Sequence, residues 1–245
     1  MVRIDKSGVP IPQILAVGGK GHALTVQMEM DYDNGIREFK FSSKIYGHKS
    51  VKEALKILQK GKCCFCEAKV IHVSHGDVEH FRPKAGFNSK PKTKLTKPGY
   101  FWLAYDFFNL YFSCQMCNQS YKKNFFPIVD ESKRARSHND NLPNEESLII
   151  HPEQDNPDDH LTFHKEVILA KNSSFKGAET IKRTGLDRKE LDDNRLEYLK
   201  ILETLAQVAK GNSPQATDAK AQFIEFGKPD SLYSLMIRSN FPDLV

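Results

Sequence analysis

The amino-acid sequence predicts an α+β fold, a small mixed core set within a mostly helical chain. Three observations carry that prediction. Two C-x-x-C pairs, Cys63–Cys66 and Cys114–Cys117, are separated by 47 residues. Between Tyr100 and Phe126, eleven of 27 residues are aromatic, which reads as a small core built from large rings because little chain is available. After Asp187, leucines recur at helical spacing.

The chain has 245 residues, enough for one large domain or two small ones. Apolar residues at 39% and charged residues at 27% exclude a chain that is disordered throughout. The longest apolar runs, FWLAY and LYFSC, are far too short to cross a bilayer. The opening residues MVRIDKSGVPIPQIL contain no apolar stretch of the secretory type. Five cysteines in a chain of this kind point to a metal site or to catalysis rather than to disulfides, so a reducing cytoplasm is the expected compartment.

Residues 1–60 form a mixed N-terminal region. LTVQMEMDYDNGIREFKFS contains two alternating runs around Asp33-Asn34-Gly35, a turn signal that predicts a hairpin. A helix is expected over 50–60: Ser50 and Glu53 have capping-box spacing, Val51, Ala54, Leu55 and Leu58 share a face, and Gly61 stops it. Residues 61–130 hold the cysteines and the aromatic run. Residues 131–160 form an acidic connector, with seven acids and no lysine or arginine from Asn139 to His160, and read as a solvated linker, with an acidic patch facing a basic partner as the other reading. Residues 161–245 are expected to be helical. Asp187 and Glu190 repeat the capping spacing, and Leu191, Leu196, Leu199, Leu202 and Leu205 form a stripe running to Gly211. Shorter helices are expected near 214–226 and 230–239.

Each C-x-x-C turn can aim two thiolates at one ion, and two such turns complete a closed tetrahedral site. Cys63, Cys66, Cys114 and Cys117 are therefore expected to hold one structural Zn2+. Cys64 lacks the turn geometry and reads as a bystander. A thioredoxin-like redox pair needs a βαβ context, which the intervening residues do not supply.

Charge is concentrated. Arg82, Lys84, Lys90, Lys92, Lys94, Lys97, Lys122 and Lys123 face one acid, Asp106, between Phe81 and Val129, a local +7 in a chain of net +5. Nucleic acid is the natural partner for such a surface, and these eight residues are the candidate contacts. A solvated lysine-rich loop is the competing reading.

The insert between the cysteine pairs contains Asp77-Val78-Glu79-His80-Phe81-Arg82-Pro83, then Asn109-Leu110, then Cys114-x-x-Cys117-Asn118. Hydrolysis of a phosphodiester needs a base to activate water and a divalent cation at the leaving oxygen. Histidine supplies such a base near neutral pH, while carboxylate and amide oxygens are hard ligands for magnesium.

In this order of residues, Cys63 to Lys123 resembles the HNH nuclease family and its ββα-metal core. The resemblance implies a metal-dependent endonuclease in which His80 is the general base, Glu79 and Asn118 bind Mg2+ or Mn2+, and Asn109 braces the loop that orients the base. Two positions depart from the usual pattern: Glu79 stands where the family usually has aspartate, and Asn118 where many members have histidine. A wider stretch, roughly residues 60–195, is similar to the PtuB-type HNH proteins of Septu and retron antiphage systems. That similarity implies pairing with an ABC-like ATPase, PtuA, docked by helices outside the core. His72 and His75 are close enough in sequence to assist His80 but read as loop residues; His151 reads as a turn residue, and His138 and His160 carry no pattern. Two other functions compete: a zinc-stabilised nucleic-acid-binding module without cleavage, and a stand-alone restriction-type HNH nuclease.

Overall fold

A computed structural model of the chain describes residues 1–72 and 74–245. Helices supply most of its regular structure: α1 (Lys20–Asp33), the single turn α2 (Ser43–Tyr46), α3 (Lys49–Leu58), α4 (Phe175–Thr184), α5 (Lys189–Ala209), α6 (Pro214–Gly227) and α7 (Ser234–Asn240). Two antiparallel hairpins complete it, β1 (Asp77–His80) with β2 (Leu110–Ser113), and β3 (Leu161–His164) with β4 (Val167–Ala170). Helices and small sheets side by side make this an α+β chain. Among the described residues, no helix is long and apolar enough to cross a membrane.

The expected N-terminal hairpin is a helix instead. Gly21 and Met28 are buried on one face of α1, and Tyr32 continues that face one turn on to stack against Phe101 at 5.1 Å. The Asn34-Gly35 signal serves as the helix stop. Asn34 N–H bonds Met30 O, and Gly35, at φ +90°, bonds Tyr32 O. Asn-Gly fits a hairpin turn and a helix end equally well, and packing on Phe101 decides between them.

In α3 the cap is also not the expected one. His48 occupies the N-cap, and its Nδ1 accepts from Ser50 N at 3.2 Å. The predicted face is correct, since Val51 and Leu55 are fully buried and α3 lies on β2. The predicted α5 stripe buries Leu191, Leu199 and Leu202, while Leu196 and Leu205 are half-buried; α5 packs on α6 and α6 on α7.

The segment 139–160 is not a solvated linker. Ile149 and Ile150 are fully buried, and Glu145 lies in the interior, where it accepts from Arg82 Nε at 2.9 Å and from the Tyr100 hydroxyl at 2.6 Å. A carboxylate with three buried donors, Ala135 N at 3.2 Å being the third, behaves as a core residue, although its sequence context is acidic and proline-rich. His151 is the expected turn residue: its Nδ1 accepts from Glu153 N and Gln154 N, each at 3.2 Å. It is also buried, with its ring 4.4 Å from that of Phe81.

The aromatic run forms core, as expected. Tyr100, Phe101, Phe107, Tyr111, Phe112 and Phe126 are all buried, whereas Phe108 is exposed.

Candidate active site and metal centre

The two C-x-x-C turns meet. The thiols of Cys63, Cys66, Cys114 and Cys117 all lie within 4.8 Å of one another, and Cys66 Sγ is 3.9 Å from Cys114 Sγ. Tetrahedral coordination with metal–sulfur bonds of about 2.3 Å needs sulfurs roughly 3.8 Å apart, so this donor set fits one metal ion. Burial pushes the Cys63 thiol well above its ordinary value, while hydrogen bonds from Cys114 and Cys117 hold Cys66 well below. Three buried thiols and the half-buried Cys114 crowd together here, an arrangement that a bound cation relieves by taking all four as thiolates. Arg188 stands beside them, with Nη1 3.5 Å from Cys117 Sγ. Burial opposes its charge, yet the cysteines hold its guanidinium above the ordinary value. Cys64 is buried but outside the cluster.

From this cluster the chain runs into a π-helical segment, Met116–Lys122. Lys123 N bonds Asn118 O five residues back, at 2.7 Å. Wide turns of this kind recur at functional sites. Here the turn sets Asn118 directly after Cys117 and against the β1–β2 hairpin.

The hairpin places His80 opposite Leu110, at the end of β1. Its Nε2 lies 3.0 Å from Ala104 O. A carbonyl only accepts, so Nε2 carries the proton and Nδ1 keeps the lone pair. Lys84 Nζ sits 3.4 Å from that Nδ1. Burial, with Lys84 and Lys122 nearby, holds the His80 ring well below its ordinary value, so it is neutral. A neutral imidazole with one fixed tautomer is the form a base requires. Asn109 ties the loop after His80: its Oδ1 accepts from Arg82 N at 2.8 Å, and its Nδ2 donates to Arg82 O at 3.0 Å and Leu103 O at 3.1 Å.

His80, Glu79, Asp77 and Asn118 line one cavity of about 450 Å³. Glu79 is 3% exposed, and burial raises its pKa against the pull of Lys122. Lys122 Nζ stands 2.5 Å from Glu79 Oε1, an ion pair by distance, yet that oxygen accepts no directed hydrogen bond. Asn118 reaches Asp77 instead, with Nδ2 3.1 Å from Asp77 Oδ2. The metal-ligand candidates here are oxygens, among them a buried carboxylate whose charged neighbour is Lys122. Such a set fits a hard divalent ion such as magnesium or manganese.

The basic residues divide. Lys90, Lys92, Lys94, Lys97 and Lys123 are exposed, and Lys84 is half-buried at the cavity. Arg82 and Lys122 are not on the surface: Arg82 is spent on Glu145, and Lys122 on Glu79 and on His80 O at 3.1 Å. His72 and His75 are exposed.

Sequence reasoning overlooked Asp77, Gln119 and Tyr46. The signal for Asp77 was present, because residues two apart on a strand share a face, as Asp77 and Glu79 do on β1. Gln119 Nε2 donates to Asp77 Oδ2 at 2.8 Å. Tyr46, whose ring lies 4.7 Å from that of His80, comes from a single helical turn that no local pattern announces.

No protein-family model matches the chain. It is 42% identical over 168 residues to Septu protein PtuB of Bacillus mycoides (strain KBAB4), which is 68% of this chain and 57% of that protein. It is 29% identical over 145 residues to a Vibrio cholerae (serotype O1 biovar El Tor) protein named as a retron Vc95 HNH endonuclease, 56% of this chain and 60% of that one. It is also 26% identical over 137 residues to Septu protein PtuA of the same Bacillus, 56% of this chain and 19% of that protein. The chain thus spans less than two thirds of the length of each of these relatives. These likenesses are to the HNH proteins of Septu and retron systems. Among them, the chain is a relative of the PtuB type. Likeness to PtuA is shared sequence and not in itself association with it.

Proposed function

We propose that the chain is a metal-dependent HNH endonuclease that cleaves nucleic-acid phosphodiester bonds, with residues 61–130 as its catalytic unit. The observation that carries this reading is His80. It is a buried neutral imidazole whose Nε2 is committed to Ala104 O and whose Nδ1 keeps its lone pair, with only Lys84 Nζ beside it at 3.4 Å, in the residue that lines one cavity with Glu79 and Asn118. A pure binding module has no use for that arrangement.

In the proposed reaction, His80 Nδ1 takes a proton from water as the water oxygen forms a bond to phosphorus and the bond to the leaving sugar oxygen breaks. Asn109, by holding the backbone of Arg82, keeps the loop after His80 in place. Lys84 and the exposed Lys123, Lys90, Lys92, Lys94 and Lys97 hold phosphates of the strand. A magnesium or manganese ion, when held by Glu79 and Asn118, supplies charge stabilisation at the leaving oxygen. The four-cysteine metal is zinc in this reading and is structural, because a site of four sulfurs leaves no open position. DNA is the favoured substrate, with RNA as the other arm of the test.

Kinship with Septu and retron proteins supports a role in antiphage defence, with an ABC-like ATPase as the partner. The test is cleavage of DNA and RNA by the purified chain, with and without the ATPase, under a divalent-metal titration. His80→Ala is expected to lose about 10² to 10⁴ in rate while keeping its fold and zinc. Wild-type cleavage by His80→Ala would overturn the mechanism and favour the binding module.

A further inference from the structure

We propose that Asp77 is a positioning residue for Asn118: it fixes the side-chain amide so that the carbonyl oxygen is the end left to the divalent ion. This rests on the nuclease reading above and adds a residue to it.

The backbone of Asn118 is already held. It follows Cys117, a member of the sulfur cluster; its N–H bonds Cys114 O at 3.1 Å, and its carbonyl accepts from Lys123. None of this fixes its side chain, because an amide rotated by half a turn presents nitrogen where oxygen stood. A hard cation takes the oxygen and is repelled by the NH2 group. The observed contact decides between the two ends. Asp77 Oδ2 lies 3.1 Å from Asn118 Nδ2, and a carboxylate accepts but does not donate. The NH2 end is therefore bound to Asp77. Among the described residues Asn118 Oδ1 has no hydrogen-bond partner, and the residue lines the cavity that also contains Glu79 and His80.

The fold makes the contact reproducible. Asp77 pairs with Ser113 across the hairpin, one residue before Cys114. Gly76 precedes it at φ +60°, and a Cβ there would sit 2.3 Å from the Phe112 ring. The strand can therefore start this close to β2 only on a glycine. Gln119 donates to the same Asp77 oxygen at 2.8 Å, so one carboxylate orders two consecutive amides. Orienting partners of metal ligands commonly contribute 10- to 100-fold in affinity.

The test measures Mn2+ binding to the full-length, zinc-loaded chain by electron paramagnetic resonance, alongside cleavage. Asp77→Ala is expected to weaken Mn2+ binding about tenfold or more, as Asn118→Ala does. The double variant should be no weaker than Asn118→Ala alone, because Asp77 acts through Asn118. Asp77→Asn should keep most of the affinity, since its amide oxygen accepts the same bond, and it gives the reading should Asp77→Ala lose its zinc. Gln119→Ala should match wild type. Losses that multiply in the double variant would make Asp77 a ligand in its own right and overturn the proposal. So would wild-type Mn2+ affinity in Asp77→Ala, or loss in Asp77→Asn equal to that in Asn118→Ala. A wild-type chain that binds no Mn2+ and cleaves nothing overturns the nuclease reading as well; one that binds and cleaves while Asp77→Ala is unaffected overturns this inference alone.

Discussion

Between Lys189 and Asn240, helices α5, α6 and α7 hold one another through buried apolar side chains such as Leu199, Leu202, Phe223 and Met236. Among the described residues between Cys63 and Lys123, regular structure is confined to two four-residue strands, isolated single turns and a seven-residue π-helical segment. That second region adds other means to its buried aromatic core: four clustered sulfurs, the buried pairs Arg82–Glu145 and Glu79–Lys122, and side chains such as Asn109 bonded to backbone. The first region spreads its stability over many interchangeable contacts. The second adds a few specific polar and sulfur contacts to its aromatic core, and its candidate catalytic groups sit among them.

The largest expected effect breaks the second region. Cys63→Ser should lose bound zinc and most of the folded protein, because structural zinc contributes about 10–16 kcal/mol of apparent binding free energy that is also folding free energy. Metal analysis and a thermal melt read it; full zinc in this variant would reject the site. Cys64→Ala, outside the cluster, should keep one zinc per chain.

Leu199→Ala gives the counterpart in the helical region. Leu199 is 1% exposed, and truncating a buried leucine costs about 2–5 kcal/mol. Denaturant unfolding should show that loss while the folded protein retains its zinc; lost zinc at an unchanged unfolding midpoint would mean the two regions are not separable in this way.

A smaller effect concerns binding. Replacing exposed Lys90, Lys92, Lys94 and Lys97 together with glutamine should weaken nucleic-acid binding and flatten the log–log salt slope by up to about 3.6, at roughly 0.9 per phosphate contact. An unchanged slope would mean the loop faces something other than phosphate. The smallest is Arg188→Ala, which removes the cation 3.5 Å from Cys117 Sγ. Zinc affinity measured by chelator competition should fall about tenfold, as for other partners of metal ligands. An unaltered affinity would show that the contact does not tune the site.

The same contrast explains what was legible in the sequence. Periodicity gave α5 and the buried face of α3, because helices that pack by one face must repeat their apolar residues. Paired spacing gave the sulfur cluster, because C-x-x-C is itself the turn. The order of Glu79, His80, Asn109 and Asn118 was visible as a motif, and the structure gathers three of them at one cavity, with Asn109 bonded to Arg82 in the loop that follows His80. What was not legible depended on distant partners. Asn34-Gly35 became a helix stop because Tyr32 found Phe101, 69 positions further along the chain. Glu145 became a core residue because Arg82 and Tyr100 were waiting for it. Arg82 and Lys122 look like surface cations in any window of sequence, yet each has a buried carboxylate as its partner. Asp77 escaped notice although it stands two residues from Glu79, because its meaning lies in an amide 41 positions away.

Under the proposed function this region holds two metals of different chemistry, one among sulfurs and one among oxygens beside His80. Anomalous diffraction from crystals of the zinc-loaded chain soaked in Mn2+, recorded at both absorption edges, tests it most directly. The expected result is a zinc peak enclosed by Cys63, Cys66, Cys114 and Cys117 and a manganese peak against Glu79 and Asn118. A manganese signal elsewhere with none in the His80 cavity, or no zinc among the four sulfurs, would contradict it.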